Sequence, residues 1–453
     1  MPYTSVGLLL VIILLITVGS SSFMEASPST KKIIIILFSA SIYKFGFGGP
    51  NWILIYLVSV ALLASVNSVL KSPILLGTGI VLAVSPLVLG RLQSLITFPW
   101  NPFPELPMIG HGLWLGSVSF ALLPLGLSFM TLQSVALVAM SKREKFSLID
   151  SLFCLFYFPK ITLGPIENPA KFIRRSASLR LASRSELLCC SYVVFSGSMR
   201  LLIAKISQGL LDESLGGILS GTSLLLTLTV IGFLRILILY QLIQGATEIA
   251  QGLSRAIGID LSNNFNRPFS AQRVAEFWQR WHMTVTHFFG TYVYRPLCQL
   301  GVGRPVATIL VFLLFGLFHG AYLDVIVLGL LAGLVVVAEN QFSAKPTQIG
   351  VILFASIVGA LSMPGGIISR IRIDYLFYPS LDAHQLVLLV IASILNFLTI
   401  WALGWHHQAR HPRLTALSAK IGCYAHYVFT SLFAALAYLA SGMNSFHSGY
   451  GIL

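Results

Sequence analysis

The chain has 453 residues, 56% hydrophobic and 10% charged, where an ordinary globular protein carries about 25% charged residues. That composition excludes a soluble globular domain and implies a polytopic membrane protein. The net charge is +14, from 29 basic and 15 acidic residues. The basic residues fall between apolar runs, a pattern of positive-inside loops that argues against nucleic acid as a partner.

A spanning helix needs about 20 mostly apolar residues. Runs that fit are 4–20, 33–48, 51–70, 73–91, 112–140, 187–206, 218–244, 304–320, 323–340, 348–365, 386–405 and 421–441. The expectation is an all-α polytopic membrane protein of about 11–12 transmembrane helices, read as one integral-membrane domain over 1–453. The first run, Val6 to Val18, lacks a preceding positive segment and is soon followed by a second span, so it reads as an uncleaved membrane helix.

Two loops concentrate positive charge. The first, 141–186, holds Lys142, Arg143, Lys145, Lys160, Lys171, Arg174, Arg175, Arg180 and Arg184. The second, 254–304, holds Arg255, Arg267, Arg273, Arg280, Arg295 and Arg304. Two expected spans separate them, so both must lie on one side. The connection between those spans, Ser207 to Gly217, carries Asp212 and Glu213 and no basic residue, which places the basic loops in the cytoplasm. Inside the first loop, Phe153 to Pro165 is apolar but broken by Pro159 and Pro165, and reads as a re-entrant or interfacial segment. Glu276 to Tyr294 mixes aromatic and polar groups and suits short helices at the interface or dipping into the protein.

The chemistry-bearing residues gather between Asn264 and Ala321. His319 lies in Phe315-Gly-Leu-Phe-His-Gly-Ala321, fifteen residues past Arg304. On a helix that is roughly 22 Å of rise, deep in a core about 30 Å thick. An ionisable side chain there is costly and therefore a functional candidate; the bland alternative is a packed histidine satisfied by one hydrogen bond. His282 closes Trp278-Gln-Arg-Trp-His282, an element rich in groups that stack and bind anions; the bland alternative is an anchor for the interfacial helix with Trp278 and Trp281. Arg280 and Arg295 suit the phosphates of a carrier arm, and equally suit snorkelling at the membrane edge. Glu248 sits in the glycine-bracketed Gly245-Ala-Thr-Glu-Ile-Ala-Gln-Gly252 and is expected to form a structural ion pair with Arg235 or a loop arginine. Asn264 and Asn266 read as residues that cap and fix their loop. The adjacent Cys189 and Cys190 suit packed thiols. Metal binding is not expected, and His406, His407 and His411 read as a basic loop.

Four patches, in this order, resemble the bacterial branch of the membrane-bound O-acyltransferases, the alginate O-acetylase and teichoic acid D-alanyl transferase type. They are Leu123-Pro-Leu-Gly-Leu-Ser-Phe129 with Gln133, Tyr157-Phe-Pro-Lys-Ile-Thr-Leu-Gly-Pro-Ile166, Gly245 to Gly252, and Asn264 through His319. The resemblance implies a core over about 110–345, with spanning, re-entrant and interfacial helices around a central tunnel. It implies His319 as the catalytic histidine and His282 as a second important position, which organises the tunnel or polarises a thioester carbonyl. Trp278, Arg280, Trp281, Asn264, Glu248 and Arg295 become candidates for holding substrate or donor. It further implies an acyl-CoA or acyl-carrier-protein thioester as donor with no bound cofactor, a polysaccharide acceptor, a separate exported acyltransferase- or esterase-like partner, and residence in the bacterial cytoplasmic (inner) membrane.

The expected reaction is transfer of an acyl group, acetyl first, to envelope polysaccharide hydroxyls, with D-alanyl transfer to a teichoic-acid-like polymer as the alternative. A transporter and an inactive scaffold are the rivals of another class. This sequence also departs from the family. Phe318 stands where relatives often have Trp. Glu248 stands where they usually have Asp. Gly329-Leu-Leu-Ala-Gly333 has Ala332 where many carry a second histidine.

Overall fold

A computed structural model of the chain describes residues 17, 20–46, 49–96, 126–161, 163–218, 231–319, 323–342 and 348–361. The spans expected over 386–405 and 421–441, nearly all of 4–20, and the His406–His411 group lie outside these residues. Every regular element among the described residues is helical.

The opening helices show why this sequence folds as it does locally. Helix α1 (Pro28–Ser41) starts with Ser27 accepting from Thr30 N, with proline in the first turn, where its missing N–H costs nothing. A π-helical turn, Ile42–Gly46, continues it. Helix α2 (Asn51–Leu70) ends at Lys71, left-handed at φ 52°, whose N–H bonds Asn67 O. Helices α3 (Pro73–Ile96) and α4 (Leu127–Ser141) pack with α2. Polar clips join them: Tyr56 to Ala83 O (2.8 Å) and Asn67 to Ser141 Oγ (2.7 Å). Exposed Ile55, Val58, Leu62 and Val69 on α2 and Ile74 and Val81 on α3 make a surface suited to hydrocarbon.

Among the described residues, four helices are long and apolar enough to cross a membrane: α2, the Pro73–Gly90 part of α3, and two discussed next. Shorter apolar helices are α4, 304–319, 326–341 and 350–359. The chain is thus a multi-pass membrane protein.

Helices α5 (Leu148–Phe156) and α6 (Pro169–Arg175) flank the broken segment, with a single turn at Phe158–Ile161 between them. Residues Phe153 to Tyr157 and Pro159 to Ile161 are buried, so this stretch enters the protein without spanning. Helix α7 (Arg184–Ile218) opens with a reciprocal cap: Ser183 N donates to Glu186 Oε2 and Glu186 N to Ser183 Oγ. Its 35 residues rise roughly 52 Å. This corrects the expected Ser207–Gly217 connection, which is helical: the apolar run simply carries on through Leu210 and Leu211, and Asp212 and Glu213 ride on the last turns. Helix α8 (Gly232–Ala256) runs twelve residues past the end of the apolar span at 244 and carries Glu248, which accepts from Ser196.

The two basic loops meet. Arg180 N donates to Ile257 O (3.2 Å) and Ala182 N to Ala256 O (3.0 Å). Arg175 donates to Asp260 O, and Glu167 accepts from the Ser262 hydroxyl and from Arg175. Gly258, at φ +84°, makes the turn out of α8, where an added Cβ would stand 3.2 Å from Arg180 Cγ.

The chain divides into two compact units, 1–187 with 253–351, and 188–252 with 352–453. In the second, α7 and α8 touch through small residues: a Cβ on Gly197 would lie 2.5 Å from Gly245 O. Arg200 and Glu248, both buried, are paired there at 3.0 Å. The expected partner, Arg235, instead donates to Gln208. One turn separates Glu248 from Gln244, which also donates to it, so the carboxylate faces α7, where Arg200 stands.

Candidate functional site

The site is built in the first unit by α9 (Val274–Arg280), α10 (Met283–Phe289), a π-helical turn (Gly290–Tyr294), α11 (Arg295–Gln299), α12 (Arg304–His319) and α13 (Leu323–Phe342). Helices α12 and α13 form a tight hairpin. A Cβ on Gly329 would sit 2.5 Å from Phe312 O, and one on Gly333 3.0 Å from Ile309 Cα. Ala332 is buried.

His282 is the hinge between α9 and α10. Its backbone is left-handed, φ 45° and ψ 52°. For a residue with a Cβ this costs roughly 1–2 kcal/mol. Its carbonyl accepts from Val285 N and Thr286 N, so the strained residue starts the next helix. The side chain is buried, and Nδ1 has no hydrogen-bond partner among the described residues. A strained, buried, unsatisfied histidine is what a functional position looks like when its surroundings hold it in place. The residue lies between the spans. Burial pushes its imidazole down to about 3, and a charge on His319 would push it the same way. His282 is therefore neutral at physiological pH.

Three of the four sequence patches converge on this histidine. Phe129, from the first, stacks on its ring at 5.8 Å and 30°. Gln133, one turn on, donates to Lys160 O in the second. Ile166 N, at the end of that patch, donates to Thr284 Oγ1, and Thr284 donates to Asn264 Oδ1. Asn264 O accepts from Met283 N (2.7 Å), so fully buried Asn264 holds the first turn of α10 from both sides. Asn266 N donates to Arg280 O and closes the loop. Lys160 itself is buried, its Nζ 4.0 Å from the Phe172 ring centre and 3.7 Å from Cys154 Sγ.

An aromatic belt joins His282 to His319. Phe129 shares a buried cluster with Val285, Phe288 and Phe289, against which Phe315 and Phe318 pack. Phe289 meets Phe315 at 5.8 Å and Phe318 at 6.3 Å. Both phenyl rings then present faces or edges to His319, at 4.8 and 5.4 Å. Trp278 also reaches this belt, 5.5 Å from Phe315. Phe318 thus joins the aromatic wall beside His319. His319 is the last residue of α12 and is exposed.

The remaining expected site residues separate. Trp281 is buried against Phe265 and Phe277 and supports the loop. Arg280 is engaged locally by Glu276 and Ser270, partners that leave its guanidinium little to offer a phosphate. Arg295 is exposed at the start of α11 and has no ion-pair partner among the described residues. Glu248 belongs to the second unit, where Arg200, Ser196 and Gln244 all donate to it. Phe129 and Thr284 were not singled out individually by sequence reasoning, although the first lies in a quoted patch. Their place depends on the docking of distant segments.

These contacts fall within the region that matches the family model MBOAT, membrane-bound O-acyltransferase family, over residues 114–347. Among similar proteins, the teichoic acid D-alanyltransferase of Bacillus subtilis is 25% identical over 289 residues, covering 58% of this chain and 67% of that protein. The peptidoglycan O-acetyltransferase of Helicobacter pylori is 36% identical over 108 residues, 23% of this chain and 20% of that one. A probable alginate O-acetylase of Pseudomonas syringae is 27% identical over 259 residues, 52% of this chain and 47% of that protein. The matched stretches therefore span from a fifth to two thirds of the relatives' own lengths. With just over half of its residues inside the family match, the chain belongs to the membrane-bound O-acyltransferase family.

Proposed function

We propose that the chain moves an acyl group, acetyl in the first instance, from a thioester donor to hydroxyls of an envelope or exported polysaccharide. The observation that carries this reading is the contrast between its two histidines: exposed His319 and neutral, buried, unsatisfied His282 on one aromatic belt. In this reading His319 takes the proton from the acceptor hydroxyl as its oxygen attacks the thioester carbon. Neutral His282 donates a hydrogen bond to the oxyanion that forms, an interaction strongest where water is excluded. The carbon–sulfur bond then breaks. The thiolate leaves with the proton held by His319, giving an ester and a free thiol.

The donor is acyl-CoA or an acylated carrier protein entering from the cytoplasm, with exposed Arg295 a candidate contact for its phosphates. The protein resides in the bacterial cytoplasmic membrane. A separate exported protein of acyltransferase or esterase type completes delivery to the polymer. D-alanyl transfer to a teichoic-acid-like polymer is the second reading, favoured by the longer alignment with the Bacillus protein.

The test is the ester-linked acyl content of envelope polysaccharides in a deletion strain complemented with the native protein or with His319→Ala. Restoration by the native protein alone supports the reading, and the acid released by mild base identifies the group. Equal restoration by both removes His319 from the chemistry. No change in any ester under either complement sinks acyl transfer to the envelope.

A further inference from the structure

We infer that Glu339 is a positioning residue for this site: it holds the helix that leads into His282 onto the hairpin that carries His319. This rests on the acyl-transfer reading only for its consequence in catalysis.

Helix α9 has seven residues and no cap from its own N-terminal flank; Arg273, at the N-cap position, makes no side-chain capping bond. A helix that short does not persist alone in water, because nucleation costs more than its few hydrogen bonds return. Its first-turn amides point instead at the far end of α13. Glu339 Oε1 accepts from Val274 N at 2.8 Å, and Oε2 accepts from Ala275 N at 2.9 Å. The carboxylate thus covers two of the orphan donors, and its charge meets the positive end of the helix. Arg273 completes the clasp by donating to Glu339 O and Asn340 Oδ1, both at 3.0 Å.

The cap therefore comes from a residue 64 and 65 positions away in sequence. At the other end of α9, the chain turns through Trp281 into left-handed His282. Helix α13, which supplies the cap, is the same helix whose Gly329 and Gly333 lie against α12, the carrier of His319. Glu339 thus couples the His282 element to the His319 element by a bidentate bond, where side-chain packing alone would allow α9 to slide.

Two measurements on the full-length protein in detergent or vesicles decide it. The first is backbone amide exchange of native protein, Glu339→Ala and Glu339→Gln. In Glu339→Ala, amides of 274–282 are expected to exchange about tenfold faster or more, with α12 and α13 still protected. Glu339→Gln, which keeps one acceptor oxygen, should fall between. Unchanged exchange at 274–282, or acceleration of the same size through α12 and α13, overturns the assignment. The second uses acetyl-coenzyme A as the donor probe and compares Glu339→Ala, His282→Ala and the double variant. If Glu339 acts through His282, the double variant is no slower than His282→Ala within about twofold. Multiplied losses overturn that coupling. Native protein inactive with thioester donors counts against the proposed reaction, while the exchange experiment still decides the clasp.

Discussion

His319 and His282 have the same side chain in opposite settings, and in the proposed reaction those settings divide their work. His319 ends α12 exposed, beside the rings of Phe315 and Phe318, and is proposed as the general base. Its replacement by alanine is expected to cut acyl transfer at least about 100-fold, the typical share of a general base, with unchanged membrane levels. Turnover of a thioester donor by purified protein checks this. His282 has the burial of a core residue and the backbone of a turn residue. Its titration gives a second prediction, with the sign fixed by burial. Folded His282 does not bind a proton until pH falls near 3, whereas the unfolded chain binds one near 6.5. Above pH 6.5 the two states bind equally and stability does not change. Between 6.5 and 3 the unfolded state gains protons that the folded state refuses, so stability falls with acid. By linkage the loss from pH 7 to 5 is roughly 2 kcal/mol. Thermal unfolding of native protein and His282→Gln across that range should show the native slope steeper by this amount. Equal slopes would mean that His282 is solvated.

At the scale of elements, sequence patterns resolved the short polar–aromatic helices better than their joints. Trp278, Trp281 and His282 announced an interfacial segment, and the structure breaks it between Arg280 and Met283. The left-handed residue at the break is a histidine, a type enriched at positive φ, but a preference that touches only a few per cent of residues does not single out His282 in a linear pattern. Glu248 advertised a buried ion pair, but its partner depends on the relative rotation of α7 and α8, which a linear pattern does not carry. The same holds for Glu339, whose cap joins segments more than sixty residues apart. The long helices were legible from hydropathy, yet the end of α7 was not, because a helix satisfied inside protein need not stop where apolarity fades. Two substitutions test this packing. Gly329→Ala places a methyl 2.5 Å from Phe312 O, so α12 and α13 must separate. Overpacking of this kind costs typically 1–3 kcal/mol, visible as a lower unfolding temperature in detergent. For the ion pair, Glu248→Gln should cost about 3–5 kcal/mol because it strands the Arg200 charge. The double replacement Arg200→Met with Glu248→Met should recover most of that loss, since neither charge then remains. If the double variant is as unstable as the single one, the pair contributes more than mutual neutralisation.

For the whole molecule, the decisive geometry is the meeting of the two basic loops. Composition argued that 141–186 and 254–304 share a side because two spans intervene. The structure adds a contact between them: the residues before α7 bond to the last residue of α8 and to the one after it. Fifteen basic residues lie in these two loops. By the positive-inside rule their shared face is expected to be cytoplasmic, and in the proposed reaction the donor thioester then enters on the side where His282 is assembled from both loops. The prediction is that reporters inserted after Ala182 and after Gly258 give the same, cytoplasmic signal, while one inserted between 219 and 230 gives the opposite signal. Opposite signals at the first two positions would contradict the Arg180–Ile257 and Ala182–Ala256 bonds themselves. Matching but external signals would leave the fold intact and reverse the orientation. Donor and acceptor would then have to exchange faces, and the thioester could no longer come directly from the cytoplasmic pool.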